Sequence, residues 1–357
     1  MKKIITVVGA RPQFIKAATL SRQFKLFGVE ELIIHTGQHF DANMSEVFFE
    51  EMEIPIPAYQ LDIHGLTHGA MTGKMLEGIE EILLKEKPDA VLVYGDTNST
   101  LAGALAASKL HIPVIHVEAG LRSFNMAMPE EINRILTDRI STVLFCPTDT
   151  AVNNLASEGY ATMPIKIIKN GDVMQDAAIY YAARAEKKSL ILQQIALPKF
   201  VLATIHRQEN TDSPENLKNI IAGLNEINRQ TPVVVPLHPR TRNILAQLNI
   251  VPEFKLIDPV GYFDMIMLLK SCELVITDSG GVQKEAFFFG KHCITLREQT
   301  EWIELVENGY NILVGSNMEK LKAAFEFFKT KNSDFSIDLY GKGKAAEIAA
   351  IEIINHI

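Results

Sequence analysis

The sequence is poor in the features that mark secreted, metal-bound or membrane-embedded chains. Its three cysteines, Cys146, Cys272 and Cys293, are widely separated, odd in number and form no CxxC pair. That pattern excludes a disulfide framework and makes reduced thiols in a cytoplasm the expectation. No uninterrupted apolar run approaches the roughly 20 residues a membrane helix needs. Met1-Lys2-Lys3 leads straight into a strand of about six residues, too short for a signal-peptide core. Basic residues are not in excess: 35 Lys and Arg stand against 43 Asp and Glu, a formal net charge of −8. Nucleic acid is therefore not expected as a partner, and a cytoplasmic protein without membrane contact is. Low-complexity segments are absent, and so are repeats beyond a loose duplication of βα units.

What is present is an ordinary α/β composition over 357 residues, with 47% hydrophobic residues. That length exceeds what one core usually serves, so two domains are expected. Short apolar runs alternate with helical spacing. Lys3–Gly9, Glu31–Gly37, Ala90–Tyr94, Ile112–Val117, Leu144–Pro147 and Lys166–Val173 read as strands. Helical periodicity covers Thr67–Glu86, whose Met71 and Met75 are expected in the core. Ser99–Leu110 is a small-residue helix suited to close packing, and Phe48–Pro57 reads as a helix running into a loop. A second βα series follows a helix over Tyr180–Gln194, with strands at Phe200–Ile205, Val233–Leu237, Phe254–Ile257, Leu274–Thr277 and Cys293–Leu296. The pattern is that of doubly wound parallel sheets. The expected boundaries are 1–172 for the first Rossmann-like domain and 173–342 for the second, with 343–357 a helix crossing back to the first.

One stretch organises the first half: HVEAGLRSFNMAMPEEINRILTDR, from His116 to Arg139. Its strand delivers Glu118, Gly120 permits a sharp turn, Arg122 follows, and Pro129 opens a helix carrying Glu130 and Glu131. Just upstream, the strand Ala90–Tyr94 ends in Gly95-Asp96. Strand ends form the ligand crevice of open parallel sheets, so Asp96, Glu118 and Glu130 are expected to converge there. Three acids without Cys or His ligand spacing point to proton chemistry rather than to a metal.

Other strand ends carry binding chemistry. Gly9-Ala10-Arg11-Pro12 turns into a helix bearing Lys16, a setting that suits a phosphate but also describes an ordinary βα turn. Gln38 lies at the end of the second strand. In Asp278-Ser279-Gly280-Gly281 the glycines admit a diphosphate to a helix N-terminus, and Glu285, two turns on, can accept ribose hydroxyls. The plain alternative for Asp278-Ser279 is a helix cap. His206 at a strand end is either a structural histidine or a catalytic one. His238 and Arg240 are candidate phosphate contacts, and Arg297 lies on the same rim.

Taken together, GARPQFIK, HTGQHFD, YGDTNST, HVEAGLRS, MPEEINR, IHRQEN, DSGGVQKEA and REQTE resemble the non-hydrolysing UDP-N-acetylglucosamine 2-epimerases, in order and over nearly the whole chain. The resemblance implies two Rossmann-like domains facing a cleft in a glycosyltransferase-B arrangement, a UDP-sugar substrate, no metal or nicotinamide cofactor, and a homodimer. It assigns catalysis to Asp96, Glu118, Glu130 and His206. Arg11, Lys16 and the Ser279-Gly280-Gly281 helix end are implied to stabilise the departing diphosphate. Gln38, Arg122, His238, Arg240, Glu285 and Arg297 are the further substrate contacts. A glycosyltransferase of the same architecture would need an acceptor groove and one base, which leaves the acid cluster unexplained. A silent UDP-sugar-binding protein has no reason to hold that cluster either.

Some positions depart from the common family pattern. Trp302-Ile303 stands where Arg-Pro usually follows Thr300-Glu301, and the glycine-opened helix reads Val282-Gln283-Lys284-Glu285-Ala286-Phe287-Phe288-Phe289. With HFDANMSE and DIHGLTHGAMTG, these variants resemble the subgroup acting on UDP-2,3-diacetamido-2,3-dideoxyglucuronate, a precursor of surface polysaccharides. Trp302 is a candidate wall for that sugar's extra acetamide, the alternative being that it packs the helix after Glu301. The Arg-Gln pair that many members use to bind an activating second UDP-sugar is replaced near Gly65-Leu66, so allosteric activation is not carried over.

Overall fold

The computed structural model describes residues 2–38 and 54–357. The stretch from His39 to Glu53, which carries HFDANMSE and most of the helix read over Phe48–Pro57, lies outside the described residues. Two compact units emerge: Met1–Ile179 with Asp338–Ile357, and Tyr180–Ile337.

In the first unit seven strands form one parallel sheet: β1 (Lys3–Val8), β2 (Glu30–His35), β3 (Tyr59–Gln60), β4 (Ala90–Tyr94), β5 (Val114–Val117), β6 (Val143–Cys146) and β7 (Lys166–Lys169). Their order is β3-β2-β1-β4-β5-β6-β7, with the reversal between β1 and β4 that defines a doubly wound sheet. Between them run α1 (Arg11–Phe27), α2 (His68–Glu86), α3 (Asn98–Lys109), α4 (Pro129–Ile140) and α5 (Asp149–Ser157), followed by α6 (Val173–Lys188). The central strands β1, β4, β5 and β6 are near-continuous apolar runs buried on both faces, as helices on both sides require. Met75 is fully buried beside Ile79 and Val93, with Met71 packed against the same cluster. The small residues of α3 bring it close to the sheet: a Cβ at Gly103 would stand 3.1 Å from Val7.

Gln13 shows how the strand ends are tied together. Its side chain is buried, accepts the N–H groups of Gly9 and Ala10, and donates to the carbonyl of Tyr94 at 2.8 Å. The loop after β1 is thereby fastened to the loop after β4.

The second unit repeats the plan with β8 (Val201–Thr204), β9 (Val233–Pro236), β10 (Lys255–Ile257), β11 (Leu274–Thr277), β12 (Cys293–Thr295) and β13 (Asn311–Leu313), in the order β10-β9-β8-β11-β12-β13. Its helices are α7 (Ile191–Ile195), α8 (Gln208–Thr211), α9 (Pro214–Asn228), α10 (Pro239–Gln247), α11 (Tyr262–Ser271), α12 (Gly280–Phe288), α13 (Ile303–Glu307) and α14 (Met318–Thr330). The single helix read over Tyr180–Gln194 is two, because Ser189 breaks it: its hydroxyl bonds Asp264 and accepts the N–H of Ile191.

The terminal helix α15 (Ala345–His356) belongs to the first unit and packs against α1. The divisions fall at 179/180 and 337/338, inside α6 and before Asp338, rather than at 172/173 and 342/343. All three cysteines are buried and free. No helix among the described residues is long and apolar enough to cross a membrane.

Candidate active site

In the first unit, Gly95 is the centre of the polar strand ends. It has φ +61°, and a Cβ placed on it would stand 3.2 Å from Lys16 Nζ and 3.3 Å from Glu118 Oε2. The Lys16 ammonium and the Glu118 carboxylate therefore lie directly over its backbone, paired with each other, each side chain 9% exposed. Asp96 follows at once, about a third exposed, and its carboxylate receives Arg134 Nη2 at 2.5 Å. Asn133 donates to the Asp96 carbonyl at 3.0 Å.

Glu118 itself has φ +71°, a left-handed conformation that a non-glycine residue rarely adopts. Such strain persists only where its surroundings enforce it, and it concentrates at functional sites. Here the enforcement is visible. His116 is fully buried, its Nε2 donates to the carbonyl of Gly95 at 2.7 Å, and its Nδ1 stands 2.8 Å from Asp138. Gly120 follows with φ +77° and donates its N–H to Asp138.

Glu130 and Glu131 separate cleanly. Glu131 is fully buried and accepts Ser123 N, Ser123 Oγ and Phe124 N, pinning the loop before the helix. Glu130 is exposed on the first turn of α4, where a carboxylate is favoured by the helix dipole. Arg122 is a correction. Expected to touch substrate, it is instead 1% exposed, and its guanidinium is taken up by Asp138, both oxygens of Glu158 and the carbonyl of Leu121, each at 2.7 Å. It is a structural cation. Gln38 turns its carbonyl oxygen to the N–H and hydroxyl of Ser99, and Arg11 opens α1. A cavity of about 460 Å³ on the flank of α4 is lined by Asn98, Asn133, Gly73, Leu105 and Ile132 among others. Asp96, Glu118 and Glu130 are not among its lining residues.

In the second unit, Asp278 ends β11 fully buried, and His206 follows β8 half exposed, their side chains 3.1 Å apart. Asn210 Nδ2 reaches the same carboxylate at 3.2 Å. Burial pushes the Asp278 carboxyl up, but the hydrogen bonds from His206, Arg207 and Asn210 together hold it below its ordinary value. Ser279 caps α12 by accepting the N–H of Val282. Gly280 admits Glu301, whose Oε1 would lie 2.6 Å from a Cβ there. Arg297 is buried and paired with Glu301 at 2.9 Å. Glu285 is buried on the second turn of α12. His238 caps α10 through Nδ1, and Arg240 is paired with Asp212. Trp302 is 3% exposed and lies 3.9 Å beneath Lys284 Nζ, at the start of α13. Its ring thus packs against Lys284 of α12 and is almost wholly covered.

The description "UDP-N-acetylglucosamine 2-epimerase" belongs to a family model that matches residues 25–354. The chain belongs to this family. Its members are isomerases of sugar nucleotides, and so is this protein. It is 58% identical over 346 residues to the UDP-2,3-diacetamido-2,3-dideoxy-D-glucuronate 2-epimerase of Pseudomonas aeruginosa, covering 96% of this chain and 97% of the relative. It is 46% identical over 357 residues to the UDP-N-acetylglucosamine 2-epimerase of Methanocaldococcus jannaschii, 97% of each chain. The crystal structure of a M. jannaschii UDP-GlcNAc 2-epimerase in complex with UDP-GlcNAc and UDP superposes with a TM-score of 0.92 at 46% identity over the whole of both chains.

Sequence reasoning named the epimerase motifs but missed several residues that hold them. Asp138, Arg134 and Asn133 lie on α4, and Asp278 with Asn210 orients His206. Asp278 stands in one of those motifs; reading it as a partner of His206 needed only the expectation that adjacent strand ends exchange hydrogen bonds.

Proposed function

We propose that this protein is a non-hydrolysing UDP-sugar 2-epimerase that inverts C2 of UDP-2,3-diacetamido-2,3-dideoxyglucuronate to give the mannuronate epimer, for surface polysaccharide synthesis. The observation that carries the substrate is the 58% identity, over nearly the whole of both chains, to a relative of that name. The Trp302-Ile303 and Lys284 variants agree with it.

The C2 hydrogen is not next to a carbonyl, so simple deprotonation is not available. Breaking the anomeric C1–O bond first sends the bonding pair to the UDP oxygen and leaves positive charge at C1, which acidifies C2–H. A base takes that proton, C1=C2 forms, and a 2-acetamidoglucal and UDP result. Protonation of C2 from the opposite face and re-addition of the UDP oxygen to C1 complete the inversion. Both faces need proton-transfer groups, and Asp96, Glu118, Glu130 and His206 are the ones we assign. To the diphosphate we assign Lys16 and Arg11 from the first unit and Ser279, Gly280 and Gly281 from the second. Gln38, His238, Arg240, Glu285 and Arg297 complete the binding set. Lys16 moving to the diphosphate would release the Glu118 carboxylate as a base when substrate arrives. We further propose a cytoplasmic homodimer with no metal or cofactor.

Comparing kcat/KM for the diacetamido uronate and UDP-GlcNAc tests the reading. A preference of at least about tenfold for the uronate is expected, roughly 1.4 kcal/mol in transition-state binding. In heavy water the product should carry deuterium at C2. Equal or better turnover of UDP-GlcNAc overturns the sugar assignment, and product free of deuterium overturns the two-face mechanism.

A further inference from the structure

Glu130, Arg134 and Asp138 are spaced i, i+4, i+8 on α4. A helix turns roughly 100° and rises about 1.5 Å per residue, so the three share one face over about 12 Å. Each level of that face serves a different acid. The first turn carries Glu130 itself. One turn deeper, Arg134, its side chain 4% exposed, grips the Asp96 carboxylate at 2.5 Å and Glu131 at 3.2 Å. One turn deeper again, Asp138 is fully buried and receives Arg122 Nη1 at 2.7 Å and Gly120 N at 3.2 Å, with His116 Nδ1 at 2.8 Å. Those contacts lie on both sides of Glu118 in sequence, and through His116 they also reach the carbonyl of Gly95, the residue before Asp96.

We infer that α4 is the registering element of the reaction centre, with Arg134 and Asp138 as positioning residues for Asp96 and Glu118. The inference rests on the epimerase reading above, which supplies the reaction to be registered. A single rigid helix then sets the spacing of all three carboxylates, one by carrying it and two by holding them. Asp138 does so by holding the two chain segments that flank Glu118 in its left-handed conformation. Elimination and re-addition need acids on opposite faces of one intermediate. Loss of register should therefore do more than slow turnover: it should let the glycal escape before it is reprotonated.

The test uses the full-length protein and the variants Arg134→Gln, Arg134→Lys, Asp138→Asn and Asp138→Glu. Epimer formed, and free 2-acetamidoglucal plus UDP released, are quantified by proton NMR from the same reactions. UDP binding is followed by calorimetry. Arg134→Gln and Asp138→Asn are expected to lower kcat at least about tenfold, the scale of small misplacements of reacting groups. KM and UDP affinity should stay within about threefold, and the ratio of released glycal to epimer should rise. Arg134→Lys should restore part of both. The ratio does not depend on how much enzyme is folded, so a merely structural role would leave it unchanged. An unchanged ratio in every variant that turns over, or kcat within about twofold of wild type, overturns the inference. If Arg134→Gln or Asp138→Asn does not fold, the ratio in Arg134→Lys and Asp138→Glu decides. A wild-type protein that epimerises no UDP-sugar defeats the functional reading instead, and that arm is run first.

Discussion

The carboxylate of Asp278 lies 3.1 Å from Nδ1 of His206 and accepts the backbone N–H groups of His206 and Arg207 at 3.0 Å. With the acid fully buried and held below its ordinary value, chiefly against the pull of burial, Nδ1 carries the proton. Nε2 is then the nitrogen free to act. Asp278→Asn removes the charge that selects this tautomer. Turnover should fall at least about 10²-fold, the lower range for general acid–base catalysis, with UDP affinity changed far less. A kcat within about threefold of wild type would remove His206 from proton transfer.

Lys16 and Glu118 make a second testable pair. Both side chains are nearly buried, and a lone buried charge is far more costly than a buried pair. Lys16→Met should destabilise by about 3–5 kcal/mol in urea denaturation, and adding Glu118→Gln should restore most of it. If the single variant loses less than about 1 kcal/mol, the pair is solvated rather than buried.

The strand ends are legible in the sequence because a strand buried on both faces is a near-continuous apolar run that stops where polarity begins. Ala90–Tyr94 followed by Gly95-Asp96 is such a case, and so is Leu274–Thr277 followed by Asp278. The side-chain partners at those ends are not legible. Periodicity cannot tell that Glu131 is spent on the loop at Ser123 while Glu130 faces solvent. Nor can it tell that Arg122, beside a catalytic-type acid, is consumed by Asp138 and Glu158. Both outcomes depend on which partners the fold brings within about 3 Å, and those come from other segments of the chain. The left-handed conformation of Glu118 is hidden for the same reason, since only glycine advertises that conformation.

Two glycines separate strain from clash. Gly28 and Gly120 both have positive φ, but a Cβ at Gly28 meets nothing within 4 Å, whereas one at Gly120 would stand 2.5 Å from the carbonyl oxygen of Ala151. Gly28→Ala should cost only the backbone strain, about 1 kcal/mol. Gly120→Ala must also displace backbone, so its loss should exceed about 3 kcal/mol and disturb the turn that carries Glu118. Equal thermal shifts for the two variants would contradict the close approach.

Asp176 gives stability a pH dependence of defined sign. It lies on α6 and caps α15, accepting the N–H groups of Ala345 at 3.2 Å and Ala346 at 2.7 Å. Burial pushes its carboxyl up, the two N–H groups pull it down, neighbouring Asp172 adds to the rise, and the net value is about 6. Because the folded value lies above the unfolded one, the neutral acid is what the fold favours. The stability tied to it is full below about pH 4 and is lost as pH rises through 6. A rise of that size corresponds to at most about 3 kcal/mol. Asp176→Asn keeps an acceptor for the cap and removes the titration. In urea denaturation, wild-type stability minus that of Asp176→Asn should therefore fall as pH is raised from 4 to 7 and level off above. A difference that stays flat across that window would show that Asp176 ionises in the folded protein as easily as in the unfolded chain.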